Sequence, residues 1–172
     1  MVDAVYAAGS KPLGKANEVI HRLLPGISNS GGFRTAKRGA NGRIVVLYSS
    51  TRHPDWPDEL DPYRGTYTYF GDNRTPGKSL HDTSRGGNRT LREAFELSSG
   101  DVTDRQQSPV FLIFEKASGK GFDVKFRGLA VPGTPENRAR STDLVAIWRT
   151  YGGTRFQNYK ATFTILDSPV ID

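Results

Sequence analysis

Two patterns in this sequence could do chemistry. The first is Gly65-Thr66-Tyr67-Thr68-Tyr69-Phe70-Gly71-Asp72-Asn73, an unbroken aromatic and β-branched run closed by residues that tolerate tight turns. A strand of this kind sets one carboxylate beside several aromatic faces. That suits a flat heterocycle, whose faces stack on the rings while an exocyclic amine donates to the carboxylate. An ordinary hairpin with Tyr67 and Tyr69 packed into a core satisfies the same residues. The second pattern, Pro57-Asp58 followed by Asp123-Val124-Lys125, imitates the acid–acid–lysine set of magnesium-dependent nucleases, in which carboxylates hold a metal that polarises water. It is short and its halves lie far apart. Asp123 and Lys125 fit more simply on the solvent face of an alternating strand.

Other chemistry is excluded by what the chain lacks. It has no Gly-x-x-x-x-Gly-Lys-[Ser/Thr] loop and no Gly-x-Ser-x-Gly elbow, and His21, His53 and His81 match no zinc spacing. The cysteine count of 0 removes disulfides and thiolate nucleophiles. We therefore expect no catalytic residue, no metal and no cofactor. A net charge of +6 favours a polyanionic partner. No apolar run approaches the roughly 18 residues of a membrane span, and the N-terminus lacks the basic-then-apolar layout of a secretory signal. The expectation is a cytoplasmic protein with no membrane partner.

The elements that must position these residues follow from periodicity and turn chemistry. Residues 1–12 read as a flexible arm and 13–168 as one domain. Asn17 to Leu24 has apolar residues spaced for one helical face, stopped by Pro25-Gly26. The small residues of 27–32, then Phe33 and Arg34, make a loop in which Asn29, Ser30, Phe33 and Arg34 could approach a phosphate; a solvated loop has the same composition. Ile44–Tyr48 reads as a buried strand. The connection over 49–64 carries Arg52 and Trp56, the latter a core plug or a stacking surface. Arg74, Lys78, Arg85 and Arg89 lie in a glycine-bearing loop, after which Asn88 reads as a helix cap before the stripe Leu91, Ala94, Phe95 and Leu97. Four strands are expected at 109–115, 122–131, 143–151 and 155–166, with Trp148 and Phe163 in the core. The sum is an α+β protein of about six strands, a curved, partly closed β-barrel braced by two helices.

Several blocks together resemble a known family: Trp56-Pro57-Asp58…Leu60-Asp61, then Gly65 through Asn73, Pro76-Gly77-Lys78…Leu80-His81-Asp82-Thr83 and Gly87-Asn88…Leu91. They are similar to the N-terminal domain of modification-dependent restriction enzymes of the AspBHI and MspJI type, and more distantly to the SRA domain. The SRA Tyr-Thr-Gly signature is Tyr69-Phe70-Gly71 here, and the acidic stretch is offset from the SRA spacing. The resemblance implies an SRA/PUA-like fold that reads 5-methylcytosine-type marks in double-stranded DNA by flipping the base into an aromatic pocket. It implies a recognition module of bacterial defence rather than an enzyme, fused to or working with a nuclease or translocase. On that basis Trp56, Asp58, Asp61, Tyr67, Tyr69, Phe70 and Asp72 are the candidate pocket, with Asp72 the first choice of base-reading carboxylate. Asn29, Ser30, Phe33, Arg34, Arg52, Arg74, Lys78, Arg85 and Arg89 are the candidate DNA contacts. A PUA-type RNA binder, a small magnesium nuclease and a carbohydrate-binding sandwich are the competing readings.

Overall fold

A computed structural model describes residues 2–8, 19–27, 31–38, 42–51, 53–117, 122–136 and 142–166. The contacts of the chain gather into two units, one of 1–53, 109–130 and 165–172, the other of 54–108 and 131–164. Nine strands and three helices are found among the described residues.

In the first unit β1 (Val5–Tyr6), β2 (Phe33–Arg38), β3 (Gly42–Ser49), β6 (Val110–Lys116) and the start of β7 (Val124–Pro132) accompany the short helix α1 (Val19–Leu23). β2 and β3 form an antiparallel hairpin, β3 runs parallel to β6, β6 is antiparallel to β7, and β1 lies antiparallel to β7. The pairing is therefore mixed. A parallel pair cannot be joined by a tight turn, and residues 50–109 supply the long connection between β3 and β6. Val45, Val46 and Leu47 are wholly buried, which is why this strand reads as a continuous apolar run instead of an alternating one. β7 does alternate: Val124 and Phe126 enter a core with Val19, Ile20, Ile27, Val46, Leu112 and Phe114. Phe122, expected to open this strand on its apolar face, stands outside it and is exposed.

The expected loose arm is held over residues 3–8. Asp3 N donates to Phe126 O (2.7 Å), Phe126 N to Ala4 O (3.0 Å) and Ala8 N to Asp123 Oδ1 (2.8 Å). Arg127 bridges Asp3 Oδ1 and the buried Glu115 Oε2, each at 2.7 Å. The Arg127 hydrogen bond to its carboxylate, reinforced by Lys125, holds Asp3 below the usual aspartate range. A depressed carboxylate stabilises the folded state above its unfolded pKa of about 3.9, and that contribution is lost as pH falls through the folded value. Protection of the Phe126 amide against hydrogen exchange should accordingly drop below pH 4, and Asp3→Asn should flatten that drop. An unchanged acid limb in the variant would assign the loss to another carboxylate.

In the second unit β4 (Glu59–Asp61), β5 (Thr66–Phe70), β8 (Leu144–Tyr151) and β9 (Thr154–Leu166) are all antiparallel, with β9 between β5 and β8. Helices α2 (Gly87–Ser99) and α3 (Val102–Gln107) complete it. Leu91, Ala94 and Phe95 form the buried stripe of α2, and Phe95 meets Phe163 edge-on at 5.4 Å. Phe163 is in the core as expected. Trp148 is not: it is 53% exposed, on β8, which among the described strands pairs with β9 alone. The helix over 102–107 was not anticipated; it is capped reciprocally by Asp101 and Asp104, an acidic version of the capping box.

Candidate nucleic-acid interface

The alternation of β5 divides the leading motif between two faces. Tyr67 and Tyr69 pair with Phe163 and Ala161 and are 0% and 2% exposed, so their rings belong to the core beside α2. Thr66, Thr68 and Phe70 take the other face, opposite Thr164, Thr162 and Lys160. That face borders an open hollow of about 1040 Å³ whose lining includes Glu59, Asp61, Arg64, Thr68, Lys160 and Thr162. Thr134 also lines it, with a buried hydroxyl that has no hydrogen-bond partner among the described residues.

Phe70 leads into an aromatic cluster with Trp56 (centroids 5.6 Å apart) and Phe156, the latter packing edge-on against Trp56 at 6.1 Å. Trp56 is thus buried, but one face carries a guanidinium: Arg149 Cζ lies 5.4 Å from its ring centre. The three candidate carboxylates have different employments. Asp58 Oδ1 accepts from Phe70 N at 2.8 Å, which fixes this half-buried carboxylate against the cluster. Asp61 Oδ1 accepts from Tyr63 N and Arg64 N at 3.0 and 3.1 Å and so shapes the β4–β5 turn. Asp72 gives both oxygens to the start of α2, accepting from Gly87 N (2.9 Å) and Asn88 N (3.0 Å). The helix cap expected of Asn88 is therefore supplied from outside the helix by Asp72. The orphan amides of a first turn favour an anion, and a remote carboxylate meets that need as well as a local one.

Asn88 is instead one of three buried amides that sequence reasoning missed. Asn158 Oδ1 accepts from Asn73 N, Asn88 Nδ2 and Tyr159 N at 3.0–3.2 Å, and Asn158 Nδ2 donates to Gly71 O at 2.9 Å. Asn73 Nδ2 donates to Gln157 O (2.8 Å) and Asn88 Nδ2 to Leu80 O (2.7 Å). A Cβ on Gly71 would run into the Asn88 side-chain oxygen and stand 2.7 Å from that of Asn158. The triad pins both ends of the irregular segment 71–86, which carries Arg74, Lys78 and Arg85, while Arg89, expected in the loop, stands in the first turn of α2. Arg74 is half-buried, while Lys78, Arg85 and Arg89 are exposed; Arg89 Nε donates to His81 O at 3.1 Å. His81 Nε2 lies 3.1 Å from Tyr159 Oη, and partial burial followed by the charges of Arg92 and Arg89 lowers its pKa. This segment is a cationic surface on a rigid frame.

Elsewhere the candidates are placed differently. Asn29, Ser30 and Arg52 lie outside the described residues. Phe33 and Arg34 open β2 instead of extending the loop. Phe33 is buried opposite Leu47, and Arg34, 5% exposed, donates Nε to Gly31 O (2.8 Å) with its guanidinium 4.9 Å from the Tyr48 ring centre. Of the nuclease-like set, Asp123 holds Ala8 and Lys125 lies 3.3 Å from Asp3. Among the described residues no group of three or more His, Asp or Glu side chains could hold a metal, and no helix is long and apolar enough to cross a membrane.

A family model described as restriction endonuclease AspBHI N-terminal matches residues 1–172. The chain belongs to this family. The chain is 42% identical to the DNA recognition domain of the cytosine modification-dependent restriction endonuclease LpnPI, over 98% of this chain and 74% of that one, with a TM-score of 0.88. Against the DNA modification-dependent restriction endonuclease AspBHI the values are 45%, 99%, 77% and 0.86. The MspJI restriction endonuclease in complex with a 27-mer oligonucleotide shares the fold (TM-score 0.67, 22% identity, 95% of this chain and 42% of that one). No curated protein matches the chain. The chain thus corresponds to the N-terminal part of AspBHI and is similar over nearly its whole length to a structure described as the DNA recognition domain of LpnPI.

Proposed function

We propose that this domain binds double-stranded DNA carrying modified cytosine, of the 5-methylcytosine type, and holds the modified base flipped out of the duplex. The base would rest on the Phe70 face of β5, displacing the Arg149 guanidinium from the Trp56 ring to stack in its place, and would be read by Asp58. One observation carries the site: a carboxylate fixed 2.8 Å from Phe70 N stands beside an aromatic cluster whose Trp56 face already accepts a flat guanidinium. A cytosine ring is flat too, and its N4 amine is a donor suited to a carboxylate. Flipping costs a few kcal/mol, which stacking in a closed site can offset. Burial of one methyl adds only about 1 kcal/mol, so discrimination is moderate unless the unmodified base is penalised.

In the same reading Arg74, Lys78, Arg85 and Arg89 meet phosphates, and Asn29, Ser30 and Arg52 approach the duplex. Phe33 and Arg34, fixed at the start of β2, support the neighbouring loop, and Tyr67 and Tyr69 back the pocket from the core. The partly closed SRA/PUA-like barrel is the finer fold expectation and rests on the resemblance. The domain works in the cytoplasm, joined to a nuclease or translocase. The test is a gel-shift panel of unmodified, 5-methyl, 5-hydroxymethyl and phosphorothioate duplexes at two salt concentrations. Preference for a cytosine modification is expected; equal binding to all four would overturn the reading. Arg85→Ala should weaken modified and unmodified duplex alike and reduce the salt slope by about 1. A loss confined to modified DNA would instead put Arg85 at the base.

A further inference from the structure

Trp148, expected in the core, is exposed, and so is Tyr151 (70%), on the β8–β9 hairpin, whose Phe156 joins the aromatic cluster and whose Asn158 holds the phosphate segment. Tyr151-Gly152-Gly153-Thr154 closes β8 onto β9 with both glycines at positive φ (57° and 77°), the two-residue primed turn that makes a short, rigid hairpin. Side chains opposite each other across an antiparallel pair share a face. Trp148 pairs with Gln157, Thr150 with Arg155, and Ala146 with Tyr159, so alternation puts Trp148, Arg155 and Tyr159 on one face. Arg155 Cζ lies 4.5 Å from the Trp148 ring centre, and Tyr159 Oη lies 3.1 Å from His81 Nε2. The strip therefore runs from Arg155 past the exposed indole of Trp148, opposite Gln157, to the buried Tyr159, which touches His81, with Arg89 beyond it. From Leu144 to Leu166 the chain has Arg149, Arg155 and Lys160 and no acidic residue.

Exposed rings are costly on a soluble surface unless something covers them. An indole stacked under Arg155, on a stretch of chain without an acidic residue, is complementary to a nucleic-acid strand: arginine meets phosphate while the ring meets sugar or base. We propose that the β8–β9 hairpin is a second DNA-gripping element, in which Trp148 and Arg155 hold the duplex flanking the modified base. It rests on the DNA-binding reading above but not on the base pocket. Held this way, the hairpin adds affinity without reading the mark.

The test measures binding of the whole domain to 5-methylcytosine and unmodified duplexes by fluorescence anisotropy across a salt series. The variants are Trp148→Ala, Arg155→Ala and, as a control exposed aromatic, Phe122→Ala. Trp148→Ala is expected to weaken both duplexes about tenfold, with their ratio kept within about twofold. Arg155→Ala should lower the salt slope by about 1, and Phe122→Ala should bind as wild type. Circular dichroism melts of each variant separate loss of contact from loss of fold. Wild-type binding by Trp148→Ala and Arg155→Ala would overturn the hairpin proposal while leaving the base reading intact. So would a wild-type dimer that Trp148→Ala converts to monomer by sedimentation, which would assign the strip to a second copy of the chain. A wild type that grips both duplexes equally, but loses both in the hairpin variants, would sink the base reading and keep this one.

Discussion

Asn158→Ala is expected to lower the unfolding free energy by about 3 kcal/mol and the Tm by roughly 6–12 °C, read from urea and thermal unfolding. Alanine leaves Asn73 N, Asn88 Nδ2 and Tyr159 N without their shared acceptor and Gly71 O without its donor, in a region where Asn73, Asn88 and Asn158 are at most 1% exposed. Each buried group left unmet costs on the order of 1–3 kcal/mol before relaxation, and Asn88 Nδ2 keeps Leu80 O as an acceptor, so relaxation brings the loss below the summed range of the four groups. Gly71→Ala should approach the same size by the opposite route, forcing a methyl into the Asn88 and Asn158 oxygens. Both variants should weaken duplex binding beyond the stability loss, because the cationic segment is hung from this triad. A change below 1 kcal/mol for both would mean that the segment is held by something other than its buried amides.

Much of this was legible in the sequence where one period dominates. β3 and β7 follow from a continuous apolar run and a strict alternation, and α2 from Leu91, Ala94 and Phe95. What failed was decided by long-range partners. β1 and β4 are two and three residues long and exist only because β7 and β5 pair with them. Trp148 was expected inside because strands usually bury tryptophan, and no local signal says that one face of a hairpin will be left uncovered. The amide triad joins residues up to 87 positions apart, and asparagines in turn-like surroundings read as turn formers. Asp72 was legible as a carboxylate next to aromatics, but not as the cap of a helix that begins 15 residues later.

That last difference sets the second large prediction, which separates three carboxylates by what each already does. Asp58→Ala should reduce affinity for 5-methylcytosine duplex roughly tenfold or more while barely moving the unmodified duplex, since a carboxylate pairing with a base amine is worth about 1–3 kcal/mol. Trp56→Ala should erase the same preference and also cost about 3 kcal/mol of stability, because it empties the cluster with Phe70 and Phe156. Asp72→Ala should act on the fold instead: two first-turn amides of α2 lose their acceptor, costing about 1–2 kcal/mol, and binding to both duplexes should fall together as the adjoining cationic segment loosens. Asp61→Ala should relax the β4–β5 turn with little effect on preference. The anisotropy ratio of modified to unmodified duplex is the deciding number, because a folding defect lowers both affinities and leaves it unchanged. If that ratio collapses for Asp72→Ala and survives Asp58→Ala, the base is read at the helix N-terminus, and Asp72 must exchange a backbone partner for the cytosine amine when DNA arrives.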